Sequence, residues 1–250
     1  IFFFFAGKTL SEQFNFESKK IEILDNGNLL KAADGVKVTS NNNIEIIADK
    51  ATYDKTSLIL KINGNVKILD KNNNIEMFGE EFVFEKSMEK IFSKEKSTTI
   101  IENKYFLDTQ ELFYSINDEQ ISSGKLSILK DKLGNTIETD NFLYRLTNKI
   151  FKSENFIFLD NLGNKYYLKN AMANLETLEI IGKDLDLRFN KNQFGNTEND
   201  PRLKGNSVTF KGNTTKVNKG VFTTCKKTEN CPPWVLSAEE VKHDKQKKNY

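Results

Sequence analysis

Histidine occurs once in these 250 residues, tryptophan once, cysteine twice and proline three times. Each scarcity excludes something. A single histidine, His243, leaves no second imidazole for a zinc site or an acid–base pair. No glycine-rich phosphate loop, nucleophile elbow or HExxH helix is present. No segment is long and apolar enough to cross a bilayer as a helix, which needs about 20 residues. Charge of one sign is missing too. The formal net charge is +2 and the charges are interspersed, so no clustered basic face marks a nucleic-acid partner. Lys242 to Lys248 is the nearest approach to one and reads as a solvated tail or strand face. The chain is therefore expected to be no enzyme, with no catalytic residue, metal or other cofactor.

Aromatic and β-branched residues are abundant, with 20 Phe and 7 Tyr, and asparagines cluster at Asn41-Asn42-Asn43 and Asn72-Asn73-Asn74. The first kind suits a pleated surface, the second suits turns. Alternation dominates. Val36-Lys37-Val38, Ile44-Glu45-Ile46, Val66-Lys67-Ile68 and Ile75-Glu76-Met77 each set a charge on the face opposite two aliphatics. Period two means strands with one wet and one dry face. Turn signals fall about every ten residues, at Asn26-Gly27, Asp34-Gly35, Asn63-Gly64, Leu133-Gly134 and Leu162-Gly163. An all-β sandwich, barrel or roll is expected.

A longer period overlies the alternation. I-E-I-I-A-D-K-A-T-Y-D-K from Ile44 aligns with I-E-M-F-G-E-E-F-V-F-E-K from Ile75. The aromatic near the end of each, Tyr53 and Phe84, is followed at similar spacing by Tyr114 and Tyr144, with a weaker copy at Ala171 to Leu175. A module of about 30 residues, read as roughly three strands, thus recurs about five times, which implies stacked units sharing one core. Asp184 and Asp186 are spaced like a carboxylate pair on one strand face, but Arg188 beside them favours a solvated charge ladder. Asn190 to Asp200 reads as a loop, and strands resume at Ser207, near Val217 and Val221, and from Trp234.

The two ends differ from the middle. Ile1-Phe2-Phe3-Phe4-Phe5-Ala6-Gly7 reads as the close of a signal-peptide apolar region, with residues 1–13 a remnant or disordered start and export expected. Phe222 to Ala238 gathers both cysteines, two prolines and the tryptophan, and residues 225–250 read as a junction after a β-domain at 14–224. Two thiols and a distant His243 fall short of a zinc site's four ligands. In an exported protein Cys225 and Cys231 are expected to be oxidised, either with each other or with cysteines elsewhere.

On these motifs the chain resembles the OstA-type β-jellyroll family of lipopolysaccharide transport proteins of Gram-negative bacteria. The matching stretches are the signal-like start, the G-x-V-x-V and I-E-I-I-A-D-K-A-T-Y-D strands, and N-G-N-V-K-I-L-D at Asn63 to Asp70. V-F-T-T-C-(x5)-C-P-P-W-V-L-S-A-E-E-V-K-H-D is similar to the segment before the outer-membrane barrel in LptD-type members. The array of repeats is longer than usual in that family and no barrel strands are present, so a fragment N-terminal to such a barrel is expected. The resemblance implies a jellyroll at the periplasmic face of the outer membrane, holding acyl chains of lipopolysaccharide in an apolar groove. It implies a groove on the dry faces of the first repeats: Val36, Val38, Ile44, Ile46, Val66, Ile68, Ile75, Met77, Phe82 and Phe84. It also implies edge-strand pairing with the periplasmic bridge protein LptA near Ile21 to Ile23 and Val36 to Val38, and contact with the lipoprotein LptE through the barrel. Cys225 and Cys231 would hold the jellyroll against the barrel. A stand-alone bridge protein of the same fold, or a β-solenoid acting on carbohydrate, are the alternatives.

Overall fold

The computed structural model describes residues 14–194, 198–212, 214–226 and 234–244. Five long strands come first: β1 (Phe14–Leu24), β2 (Leu29–Ser40), β3 (Ile44–Asp54), β4 (Ile59–Asp70) and β5 (Ile75–Glu85). Eight short ones follow: β6 (Lys90–Ser93), β7 (Ser97–Ile101), β8 (Tyr105–Thr109), β9 (Leu112–Ser115), β10 (Gln120–Ser123), β11 (Ser127–Asp131), β12 (Thr136–Thr139) and β13 (Phe142–Arg145). Long strands then return: β14 (Ile150–Leu159), β15 (Lys165–Asn174), β16 (Glu179–Arg188), β17 (Arg202–Lys211), β18 (Thr214–Thr223) and β19 (Leu236–Asp244). All pairings are antiparallel and join the strands into one continuous sheet. The all-β class and the stacked antiparallel roll expected from alternation are both present.

The sheet is bent lengthwise into two layers. Each long strand crosses from one layer to the other at a bulge near its middle, with register shifts between Ala33 and Val36, Ile47 and Lys50, and Asn63 and Val66. Where the strands are short, the crossing is an outright break between β6 and β7, β8 and β9, β10 and β11, and β12 and β13. The first layer carries a ladder of facing positions, Tyr53–Leu60–Phe84–Ile91–Tyr114–Ile121–Tyr144–Phe151–Ala173–Ile180–Phe210. The second carries Val38–Ile46–Ile68–Met77–Thr99–Leu107–Leu129–Ile137, continued through Phe158 and Tyr166 to Leu187. The dry faces of both layers form one core.

The repeat of about 30 residues is therefore two bent strands, not three straight ones. Asp34-Gly35 and Asn63-Gly64 do not end strands. They are bends inside β2 and β4, with φ of 63° and 86° at Asp34 and Gly35 and 81° and 47° at Gly64 and Asn65. The same bend falls on Asn155, Asp184 and Lys219 in later strands, again at positive φ. A β-bulge supplies the local twist that lets one strand serve two layers.

The cross-section is a wedge, and residue size follows it. Near the bend the layers converge, and small residues line the seam: Ala32, Ala48, Ala51 and Ala171, all buried. A Cβ on Gly205 would stand 2.2 Å from Val217 Cγ1. Where strands break, hydroxyls replace the lost ladder. Thr109 donates to the Glu111 carbonyl at 2.9 Å, Ser127 to the Lys125 carbonyl at 2.9 Å and Thr139 to the Asn141 carbonyl at 2.6 Å. These bonds pair main-chain carbonyls in the links between the short strands. Away from the bend the layers diverge, and tyrosines and phenylalanines fill the gap.

The hairpin turns stack into a ladder of their own. Lys86 N–H donates to the Leu58 carbonyl at 2.9 Å, Ile116 to Glu89 at 3.0 Å, Leu146 to Glu119 at 2.9 Å and Leu175 to Lys149 at 2.8 Å. Each acceptor residue is left-handed, with φ of 58°, 50°, 50° and 57°. This conformation is costly for a side-chain-bearing residue. Here it aims a carbonyl at the next turn, so hydrogen bonding continues around the rim of the stack. Among the described residues two strands pair on one side only, β1 with β2 and β19 with β18. β1 is the more apolar edge, with Ile21, Ile23 and Leu24 exposed. Val36 to Val38, the other expected docking segment, lies in β2 between β1 and β3 and is not an edge.

Candidate functional site

The wedge has a mouth opposite the bend, between the two rows of turns. Along much of its length side chains close it. At one end Phe14 from β1 lies edge-on to Tyr53 and Phe84, with ring centroids 5.0 and 5.3 Å apart. Next, Tyr114 of the first layer donates its hydroxyl to Asp70 of the second. Asn73 Nδ2 donates to Asp70 Oδ2 at 2.9 Å and to the Tyr114 hydroxyl at 3.0 Å. The carboxylate also accepts the backbone N–H groups of Asn72 and Asn73 at 2.9 and 3.1 Å. Then Glu102 and Lys149 pair across the mouth, and the Lys149 hydrogen bond holds the Glu102 carboxyl below the usual carboxylate range. Last, Tyr105 of β8 donates to the Leu175 main-chain carbonyl at 2.5 Å.

Past Tyr105 the mouth opens. A cavity of about 440 Å³ lies there, lined inside by Leu129, Ile137, Phe158, Ala173, Ile180 and Phe210. Its far end is crossed by Phe210 of the first layer against Tyr166 of the second, centroids 4.7 Å apart. Leu133 and Leu162 on one rim and Leu178 on the other line it and are 63%, 48% and 49% exposed. Exposed leucines facing each other across an apolar gap are a surface that water leaves readily.

The rim is built by a motif that occurs twice, Asp131-Lys132-Leu133-Gly134-Asn135 and Asp160-Asn161-Leu162-Gly163-Asn164. In each, the aspartate accepts from the backbone N–H of the leucine and of the asparagine, at 2.8 and 2.8 Å for Asp131 and at 3.0 and 2.9 Å for Asp160. The turn is tied at its base, so the leucine projects at its tip. The asparagine then links to the following turn: Asn161 N–H donates to Asn135 Oδ1 and Asn190 N–H to Asn164 Oδ1, each at 2.9 Å.

The ten residues expected to form a groove all lie in the interior of the first repeats. Val36, Val38, Ile44, Ile46, Val66, Ile68, Ile75 and Met77 face inward from the second layer, and Phe82 and Phe84 from the first, each 2% exposed or less. The cavity of about 440 Å³ is lined by none of them. It belongs to the later repeats, whose leucine-bearing turns carry the signal. Cys225 is buried, with Sγ 3.7 Å from the Trp234 carbonyl oxygen. It forms no disulfide among the described residues, and Cys231 lies outside them. Asp186 pairs with Arg188 at 3.6 Å, in keeping with a surface charge ladder. No cluster of metal ligands occurs among the described residues.

Burial pushes up the phenols of Tyr105, Tyr114, Tyr144 and Tyr166, with Asp70 adding to the shift at Tyr114 and Asp160 at Tyr166. A raised folded pKa means the neutral phenol is favoured by folding. The stability this contributes is complete below the unfolded value of about 10 and declines as pH rises past it. Alkaline titration is expected to release these tyrosinates together with loss of the β-sheet circular dichroism. Ionisation of all tyrosines near pH 10 with the sheet intact would contradict the bonding described.

The site and fold together define an all-β roll with an apolar interior, partly open along one side. Among solved structures the chain is similar to LptH from Pseudomonas aeruginosa, the LptA-homologous periplasmic component of a lipopolysaccharide transport device. The identity is 13% and the TM-score 0.37, over 41% of this chain and 75% of that one. No protein-family model and no curated protein matches the chain.

Proposed function

We propose that this chain carries the acyl chains of lipopolysaccharide across the periplasm, as a domain at the periplasmic face of an outer-membrane translocon. It works by sheltering the end of an acyl chain from water, and makes or breaks no bond. The observation that carries this reading is the leucine-rimmed cavity in a wedge whose core is a continuous apolar cluster. Each methylene withdrawn from water is worth about 0.8 kcal/mol, so a twelve-carbon chain gains on the order of 9 kcal/mol from full shelter. β1, paired on one side only among the described residues and with Ile21 and Ile23 exposed, suits strand addition by a bridge protein such as LptA. The Cys-Pro-Pro-Trp segment that begins at Cys231 favours a barrel-linked, LptD-type domain over a stand-alone bridge, with the lipoprotein LptE reached through that barrel.

The test is capture by light. A photo-crosslinking residue at Leu162 on the rim is expected to trap lipopolysaccharide in cells, and one at Phe113 is not. Phe113 is also exposed, but it stacks on Phe92 on the outer face of β9. Equal capture at both, or none at Leu162 in folded protein, would overturn the reading.

A further inference from the structure

We propose that Tyr105 is a bulkhead that sets how long an aliphatic chain the cavity accepts. The inference rests on the reading of the cavity as an acyl site and adds the residue that limits it. The apolar core is one continuous cluster, yet the mouth above it is divided. From Phe14 to Tyr105 the mouth is crossed four times, by Phe14 on Tyr53 and Phe84, by Tyr114 on Asp70, by Lys149 on Glu102 and by Tyr105 on Leu175. Only the last of these crossings borders the cavity.

Tyr105 is suited to act as a wall. Its side chain is buried, at 7% exposure, and its hydroxyl bonds to a carbonyl of the main chain, which cannot swing away as a side chain can. That carbonyl belongs to Leu175, whose own N–H donates to the Lys149 carbonyl in the turn ladder. A ligand hydrocarbon has no acceptor to offer the hydroxyl, so displacing the ring would leave a buried donor unpaired. A fatty chain entering between Leu133, Leu162 and Leu178 therefore runs along Leu129 and Ile137 and stops at the ring. The volume, about 440 Å³, lies at the small end of ligand pockets, about 300–1,000 Å³. That suits the end of one chain and not a bundle of them.

The experiment measures displacement of cis-parinarate from the full chain by decanoate, laurate, myristate, palmitate and stearate. In the wild type, affinity is expected to rise about tenfold for each added pair of methylenes until a limiting length, and then to stay flat. Tyr105→Ala is expected to move that limit to a longer acid. Tyr105→Phe keeps the ring and is expected to keep the wild-type limit. If Tyr105→Ala loses the sheet's circular dichroism, Tyr105→Leu carries the same test with a smaller shift. An unchanged limit in a folded variant that still binds would overturn the bulkhead and leave the acyl site standing. No binding of any acid by the wild type would instead overturn the acyl site, and the bulkhead with it.

Discussion

Phe84→Ala is expected to cost about 3–5 kcal/mol of stability, in the range for a fully buried phenylalanine in a core that cannot collapse around the gap. Phe84 is wholly buried in the first-layer ladder between Leu60 and Ile91. Phe14 lies edge-on to it, and Lys86 Nζ sits 5.5 Å from its ring centroid. Truncation removes the surface on which Phe14 closes the end of the wedge. For a chain of this size the loss corresponds to a fall of roughly 10 °C in Tm. Phe113→Ala, on the outer face of β9, is expected to cost about 1 kcal/mol or less. In a stack, each repeat touches only its neighbours. Hydrogen exchange should therefore show lost protection in β2 to β6 and little change in β15 to β18. Equal losses for the two variants would mean that Phe84 is not a core residue.

The ladder that holds Phe84 was legible in the sequence, because alternation and a period near 30 are properties of side chains alone. Tyr53, Phe84, Tyr114 and Tyr144 recur in step, and the structure sets all four in one row of the first layer. The number of strands in each repeat was not legible. Glycine marks backbone that needs positive φ, and in β2 and β4 that need arises at the bend, not at a hairpin. Asn26-Gly27, Leu133-Gly134 and Leu162-Gly163 do fall in hairpin turns, but the stacked hairpins of the first layer turn on Leu58, Glu89, Glu119 and Lys149, which carry no turn signature. The same signal thus marked bends in two strands and turns in three hairpins, and these four stacked turns carried no signal at all. The candidate site was hidden for a related reason. An inward face reads the same whether it is packed shut, as at Val38 and Ile68, or open, as at Leu129 and Ile137. The difference is made by partners far along the chain, such as Tyr105 and Leu175. The nearest local sign was the doubled Asp-x-Leu-Gly-Asn, where leucine stands at a turn tip that would ordinarily be polar.

Asp70→Ala is expected to be the most costly change of a polar group, on the order of 3 kcal/mol. The carboxylate is 2% exposed and gathers donors from both layers: two backbone N–H groups, the Asn73 amide and the Tyr114 hydroxyl. Alanine leaves the buried Tyr114 hydroxyl with a donor in Asn73 and no acceptor, and frees the turn at residues 71–74. Tyr114→Phe removes only the hydroxyl and leaves Asp70 its other three donors, so about 1–2 kcal/mol is expected. Made together, the two changes should cost less than their sum, because the ring that Tyr114→Phe leaves in place needs no acceptor. A coupling of at least about 1 kcal/mol in a double-mutant cycle by urea unfolding is the expected result. Additive losses would mean that the two layers are not joined at this point. The comparison with Asp54 isolates the crossing itself. Asp54 makes the same kind of turn, accepting from Thr56 N–H at 2.8 Å and Ser57 N–H at 3.3 Å, but in the turn row of the first layer. With its bonds confined to its own turn, Asp54→Ala should be far milder. A large loss there too would assign the effect at Asp70 to the turn, not to closure of the wedge.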